Sequence, residues 1–106
     1  MGGPIEYDQI TVTFSNANVA QKITDDLITC PWYELFVPST NSTSVFQGNI
    51  NVTTTNQIPR TANSLTSFSA SQRGDFEKGD YFDLSKIYLV SATAGDTVII
   101  SYPKKV

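Results

Sequence analysis

The chain has few of the residues that catalysis and metal binding usually require. Its 106 residues include no histidine, one cysteine, 7 basic and 10 acidic side chains. Without histidine, Ser-His-Asp catalysis, Cys-His catalysis and most zinc sites are excluded. Cys30 has no second cysteine to pair with, so it is expected to be a small buried apolar residue. The composition therefore predicts a protein that is not an enzyme and has no cofactor.

Charge and apolar runs limit the partners in a similar way. Nucleic-acid binding needs clustered basic residues, but the net charge is -3 and Lys104-Lys105 is the only adjacent basic pair. The apolar runs Leu35–Val37 and Val98–Ile100 are three residues long, whereas a membrane-spanning helix needs about 20. Residues 1–6 have neither the basic start nor the apolar stretch of a secretory signal. We therefore expect no nucleic acid and no membrane among the partners.

The abundant residues indicate strands and turns. The chain has 13 threonines, 11 serines, 7 asparagines and 5 glutamines, and threonine favours strands whereas serine and asparagine favour turns. Ile10, Val12 and Phe14 alternate with polar residues, which is the period of a strand with one buried face. Further strand patterns occur at 32–37, 45–47, 50–53, 65–69, 86–91 and 98–102. Six to eight short strands predict an all-β fold, a single small antiparallel β-sandwich of jelly-roll-like type over residues 9–106, after a flexible arm of residues 1–8.

Three local patterns add detail to this fold. The apolar residues of segment 19–28 are spaced four apart and predict one or two helical turns. The tripeptide Ala94-Gly95-Asp96 predicts a hairpin between the last two strands. Asp83, followed by Leu84, predicts a turn in which the carboxylate binds nearby backbone N–H groups while the leucine enters the core.

The most specific motif lies near the end of the chain. It reads Asp83-Leu84-Ser85-Lys86-Ile87-Tyr88, followed by Gly95-Asp96-Thr97-Val98-Ile99-Ile100-Ser101-Tyr102. Together with the middle segment Gly48-Asn49-Ile50-Asn51-Val52-Thr53-Thr54, it resembles a family of small β-sandwich proteins encoded among the virion genes of tailed bacteriophages. The resemblance runs from Ile10 to Tyr102 and departs from the family at Thr61-Ala62-Asn63-Ser64, where the family has a Pro-Gly turn. It implies that the chain belongs to a phage particle.

One acidic cluster is a candidate metal site. Asp75, Glu77, Asp80 and Asp83 lie close together in the sequence, and carboxylate oxygens are ligands that Ca²⁺ prefers. Their spacing does not match an EF-hand, however, and Lys78 lies among them. A solvated loop without a metal is therefore the preferred interpretation.

Six residues are predicted to contribute to an interface. Trp32-Tyr33 and Tyr81-Phe82 lie beside polar loops, where aromatic rings stack on sugars or pack against a neighbouring subunit. Asn41 and Asn51 belong to the polar segment 39–55, which is long enough to reach a neighbour. Both also begin an Asn-x-Ser/Thr glycosylation sequence, which is interpreted as a chance match in a chain without a signal peptide.

These observations lead to two functional hypotheses. The first is a non-enzymatic structural protein of a phage particle, a capsid decoration or cement protein that binds the major capsid protein or other virion subunits and stabilises the shell. It is expected to be a homo-oligomer, for instance a trimer, located in the virion after assembly in the host cytoplasm. The alternative is a tail-fibre or head/neck accessory module that binds a host glycan or another virion protein.

Overall fold

The computed structural model describes residues 6–69 and 81–104. Nearly all of the regular structure in these residues is β-strand, and the one other element is a short 3-10 helix at Leu84–Lys86. The strands are β1 (Glu6–Thr13), β2 (Gln21–Lys22), β3 (Thr29–Cys30), β4 (Trp32–Val37), β5 (Val45–Gly48), β6 (Ser64–Ser69), β7 (Phe82–Asp83), β8 (Tyr88–Ser91) and β9 (Thr97–Lys104). The prediction of a small all-β fold is confirmed.

The strands form two main antiparallel sheets that enclose the core. The four-stranded sheet has the order β1-β9-β4-β6, and the three-stranded sheet has the order β2-β8-β5. A third pair, β3 with β7, lies beside them. Side chains from both sheets bury one another completely, including Leu35 and Ile100 from the first and Val45 and Leu89 from the second. The architecture is that of a small β-sandwich.

Alternation along the strands decides which side chains enter this core. In β4 the residues Tyr33, Leu35 and Val37 are buried, whereas Trp32 and the other residues between them are partly exposed. Likewise, Val12 at the end of β1 is buried and its neighbours are exposed. The period of two that the sequence shows in these strands therefore corresponds to an inner and an outer face of the four-stranded sheet.

The predicted hairpin at Ala94–Asp96 is wrong. Strands β8 and β9 belong to different sheets, because β1 and β4 already pair with the two edges of β9. The connection therefore crosses from one sheet to the other, and it is tied to the end of β1 by hydrogen bonds from Gly95 N to Phe14 O (2.8 Å) and from Phe14 N to Asp96 O (3.0 Å). Gly95 has a φ of 92°, so the positive backbone angle expected there is present in a different kind of turn.

A buried carboxylate holds this crossing in place. Asp96 is only 5% exposed. It accepts hydrogen bonds from the backbone N–H groups of Ser42 (3.0 Å) and Thr43 (3.2 Å), and from the hydroxyls of Ser91 (3.2 Å) and Thr43 (3.3 Å). Burial alone, the largest single influence, raises the pKa of Asp96, but the hydrogen bonds together outweigh it and hold the pKa below its ordinary value. Asp96 thus joins the loop after β4 to the start of β9.

The predicted helical turns at 19–28 are also wrong. This segment contains β2, bends, and leads into β3. Ile23 is buried and its N–H bonds to the carbonyl of Ile87 at 3.1 Å, but Leu27 is 78% exposed. The apolar residues spaced four apart therefore do not share one buried face. Helix propensity is weak in this segment because it contains β-branched residues, and pairing with the chain around β8 determines its structure instead.

Two further predictions need correction. Residues 6–8 of the predicted arm are the first residues of β1, since Glu6, Tyr7 and Asp8 pair with residues 102–104 of β9; residues 1–5 lie outside the described part of the chain. Segment 50–53 is not a strand but part of a loop that folds back on β5. A Cβ atom on Gly48 would lie 3.1 Å from Cβ of the buried Val52, so a larger residue here would require Val52 to shift by a few tenths of an ångström.

The predicted Asp83 turn is confirmed. The Asp83 carboxylate accepts hydrogen bonds from the N–H (3.0 Å) and the hydroxyl (2.6 Å) of Ser85 and so caps the 3-10 helix, while Leu84 is fully buried. These hydrogen bonds from Ser85 lower the pKa of Asp83.

In residues 6–69 and 81–104, no helix has the length and apolar character needed to cross a membrane.

Candidate functional site

A groove of about 380 Å³ opens at one end of the sandwich, where β5 ends. We call it the end groove. Its walls come from both sheets and from the loop after β5. The lining residues are Tyr33, Gln47, Gly48, Gln57, Ile58, Arg60, Phe68, Phe82 and Ile87. Its volume falls within the range of pockets that bind small ligands, about 300–1,000 Å³.

The inner wall of the end groove is aromatic. Tyr33 of β4 stacks on its cross-strand neighbour Phe68 of β6, with ring centroids 4.9 Å apart and an interplanar angle of 19°. Phe82 meets Tyr33 edge to face at 4.9 Å. The Arg60 guanidinium lies over the Phe68 ring at 5.4 Å from the centroid, a cation–π contact. The groove therefore combines an apolar floor with one cation.

Two side chains in this groove have buried polar atoms without a hydrogen-bond partner. They are Arg60, at Nε, and Gln47, at Oε1. In the described residues, no carboxylate forms an ion pair with Arg60. Buried polar atoms in proteins are nearly always hydrogen-bonded to protein, water or a bound group, so these two atoms make the end groove a candidate binding site.

A second candidate surface is the outer face of the four-stranded sheet. Phe36 of β4 lies between Ile99 of β9 and Leu65 of β6 in the strand register, and all three side chains point away from the core. Leu65 is 59% exposed. Towards the other end of the same face, the rings of Tyr7 and Trp32 meet edge to face at 5.7 Å. We call these five residues the outer apolar face.

Polar residues separate the two apolar parts of this face. Gln9 Nε2 donates to Ser101 Oγ at 3.3 Å, and Ser67 Oγ donates to Glu34 Oε2 at 3.2 Å. Glu34 and Ser101 are register partners, so these four residues form one row across the sheet. The face therefore offers two apolar areas with a hydrogen-bonding strip and one carboxylate between them.

The structure separates the six predicted interface residues. Trp32 lies on the outer apolar face and is half-buried, Tyr81 is 65% exposed, and Asn51 is exposed in the loop after β5. Asn41 is used within the chain, since its side-chain amide donates to Thr97 O at 2.7 Å and accepts from Thr97 N at 2.9 Å.

The other two predicted residues lie at the end groove. Tyr33 is 1% exposed and belongs to the core, whereas Phe82 is partly buried and packs against it. Both line the end groove.

Sequence reasoning identified Trp32, Tyr33 and Phe82 but missed the other residues that define the two surfaces. Phe36 and Ile99 were predictable, because each lies between two buried residues of its strand. Gln47 and Arg60 carry no such signal, since a polar residue inside a short strand and a lone arginine in a loop are common in solvated positions. Only the fold brings them together.

The described residues contain no group of three or more His, Cys, Asp or Glu side chains placed to hold a metal ion. Three members of the acidic cluster, Asp75, Glu77 and Asp80, lie outside the described residues. The fourth, Asp83, is the cap of the 3-10 helix.

Cys30 is expected to resist alkylation in the folded protein. Its side chain is 2% exposed, and desolvation by burial raises the pKa of its thiol to about 11. Because the thiolate is the reactive form, iodoacetamide at pH 8 should modify native protein at least 100-fold more slowly than protein unfolded in guanidinium chloride, as measured by mass spectrometry. Equal rates would show that the thiol is accessible in the native state.

Comparison with known proteins gives little further information. No family model matches the chain, and no curated protein matches its sequence. A solved structure from work on Bacillus endospore appendages, described as disulfide-linked pili, aligns over 95% of this chain and 89% of its own, with 19% identity and a TM-score of 0.45. A likeness at this level says nothing about what the chain does.

Proposed function

We propose that this chain is a non-enzymatic structural protein of a phage particle, a capsid decoration protein that attaches to the major capsid protein or another virion subunit through its outer apolar face. The observation that carries the proposal is the row Leu65, Phe36 and Ile99, with the Tyr7–Trp32 pair on the same face. Exposed apolar side chains grouped on one sheet face and bordered by polar residues are typical of surfaces that a partner protein covers.

The phage assignment rests on the closing sequence motif. Its residues support the fold: Asp83 caps the 3-10 helix, and Gly95 and Asp96 make the crossing between the sheets. The motif therefore points to a shared architecture with the virion proteins that it resembles, while the outer apolar face supplies the surface that an attached subunit requires.

The free edge of β1 supports self-association as well. In the described part of the chain β1 pairs with β9 alone, and its eight residues include no lysine and no proline. Lysine and proline are the residues that commonly protect exposed edges from pairing with another chain. A homo-oligomer that pairs through β1 would present several outer apolar faces to the particle at once and strengthen attachment by multivalency.

Attachment is testable by co-sedimentation of the purified chain with particles from a lysate of the phage that encodes it. The double variant Trp32→Ala/Leu65→Ser should weaken binding at least 10-fold, because aromatic and aliphatic anchors dominate interface energies. Leu27→Ser is the matched control, since Leu27 is 78% exposed but lies outside the outer apolar face. Both proteins should keep melting temperatures close to that of the parent.

The two parts of the proposal fail in different ways. If mass spectrometry finds no trace of the chain in purified particles, the phage assignment is wrong. If the chain is present but the double variant binds as tightly as the control, the outer apolar face is not the attachment surface.

The second candidate function is glycan binding in a tail-fibre or head/neck accessory module. The exposed ring of Tyr81 favours it, because aromatic faces stack on sugar rings. In that case host-surface polysaccharide, and not the particle, should change the fluorescence of Trp32. The variant Tyr81→Ala should lose this binding to the polysaccharide.

A further inference from the structure

The edge of β5 next to the end groove is paired at one residue and then left open. Val45 and Arg60 form an antiparallel bridge, with Val45 N to Arg60 O at 2.9 Å and Arg60 N to Val45 O at 2.8 Å. Backbone groups of a strand alternate in direction, so those of Gln47 point to the same side as those of Val45, away from β8. No backbone hydrogen bond joins Gln47 to a described residue on that side.

The unpaired groups around this edge are complementary to a peptide. The backbone N–H and C=O of Gln47 are positioned to pair with an extended chain, as in strand addition. The side-chain Oε1 of Gln47 and the Nε of Arg60 are buried without partners. A small rotation about the terminal amide bond of Gln47 would turn its carbonyl oxygen towards an incoming chain, because this torsion is broad.

The bridge at Val45 determines where an added strand has to end. Arg60 already occupies the position beside Val45, so a peptide that pairs at Gln47 cannot continue along β5 in that direction. The Arg60 side chain lines the end groove together with Gln47, and its guanidinium lies over the Phe68 ring. Arginine binds a carboxylate with two parallel hydrogen bonds, so the favoured group at the end of the peptide is its terminal carboxylate.

We propose that the end groove binds the C-terminal residue of an extended peptide from a partner protein. The peptide backbone pairs with β5 at Gln47, its terminal carboxylate binds Arg60, and its last side chain packs against Phe82 and Ile87. An aliphatic last residue fits this wall best, because the wall is apolar and the groove holds about 380 Å³. This site is independent of the outer apolar face and of the role proposed for it.

The test is a titration of the ¹⁵N-labelled full chain with acetyl-Thr-Val-Ile, as the free acid and as the C-terminal amide, followed by NMR. The free acid should bind at least 10-fold more tightly than the amide, and the backbone signals of Gln47 and Gly48 and the Nε signal of Arg60 should shift together. Charge-assisted hydrogen bonds are about twice as strong as neutral ones, which is the reason for the difference between the peptides.

Three variants test whether the effect depends on Arg60. Arg60→Gln should remove the preference for the free acid, whereas Lys22→Gln, which removes an equal charge outside the groove, should leave it unchanged. Arg60→Lys, which keeps the charge, should retain part of the preference if Arg60→Gln proves unstable.

Three results would overturn the proposal. Equal affinity of the acid and amide peptides would show that no carboxylate is recognised. An amidated peptide with an internal aspartate that binds as tightly as the free acid would exclude recognition of the terminus. Absence of shifts at Gln47 and Arg60 with several millimolar free acid would show that the groove is not a peptide site, since a Kd above about 1 mM corresponds to less than about 4 kcal/mol of binding free energy.

Discussion

Replacing Tyr33 with alanine is expected to lower the free energy of unfolding by about 3–5 kcal/mol, as for other large aromatic residues removed from a core. The ring is 1% exposed and lies between Phe68 and Phe82, so its removal leaves a cavity and deletes two aromatic contacts. Because small domains are stable by about 5–15 kcal/mol in total, urea unfolding should show a large shift of the midpoint.

The neighbouring residue provides the control. Trp32 is a larger side chain but lies on the outer face of the same strand and contacts Tyr7. Trp32→Ala should lower the free energy of unfolding by less than Tyr33→Ala, about 1–2 kcal/mol, because its side chain is only partly buried in the isolated chain. If both variants lost the same stability, the assignment of inner and outer faces in β4 would be incorrect.

Asp96→Ala is expected to lower the free energy of unfolding by about 3 kcal/mol. The substitution removes the acceptor of four hydrogen bonds and leaves the backbone N–H groups of Ser42 and Thr43 unsatisfied. The loop after β4 and the start of β9 then lose their common anchor. Unfolding of the variant in guanidinium chloride measures the loss of stability. Relative to the parent chain, amide hydrogen exchange in the variant should be accelerated most at Ser42 and Thr43.

The same carboxylate should make stability depend on pH in acid. Folding lowers the pKa of Asp96, so its contribution is complete above the unfolded-state value of about 4 and is lost as the pH falls through the lowered folded-state value. Asp96→Asn should therefore flatten the loss of stability below about pH 5. Asp25→Asn, which removes an exposed carboxylate elsewhere in the chain, serves as the control.

The parts of the fold that follow from local pattern were predictable from the sequence. Alternation in β1 and β4 places Val12 and Leu35 inside because a strand has two faces, and Asp83 caps a turn because its carboxylate reaches the N–H of Ser85. The pairing of strands was not predictable in the same way. The crossing at Gly95 looks like a hairpin in sequence, and only the competition of β1 and β4 for the edges of β9 excludes it.

The candidate sites depend even more on pairing. Gln47 and Arg60 are 13 positions apart in the sequence and meet because the loop after β5 returns to Val45. No local pattern in residues 49–59 indicates that return, although Gly48 permits it. The row of Leu65, Phe36 and Ile99 likewise joins three strands that are distant along the chain.

The strand order has a consequence for how the chain is made. β8 is the central strand of the three-stranded sheet, and β9 pairs with both β1 and β4 in the four-stranded sheet. These two are the last strands of the described chain. During synthesis the first 87 residues therefore leave the ribosome without the strands that join their neighbours, and neither main sheet can close. Until β9 emerges, β1 and β4 present open edges and apolar inner faces to solvent, a state that favours aggregation or capture by chaperones.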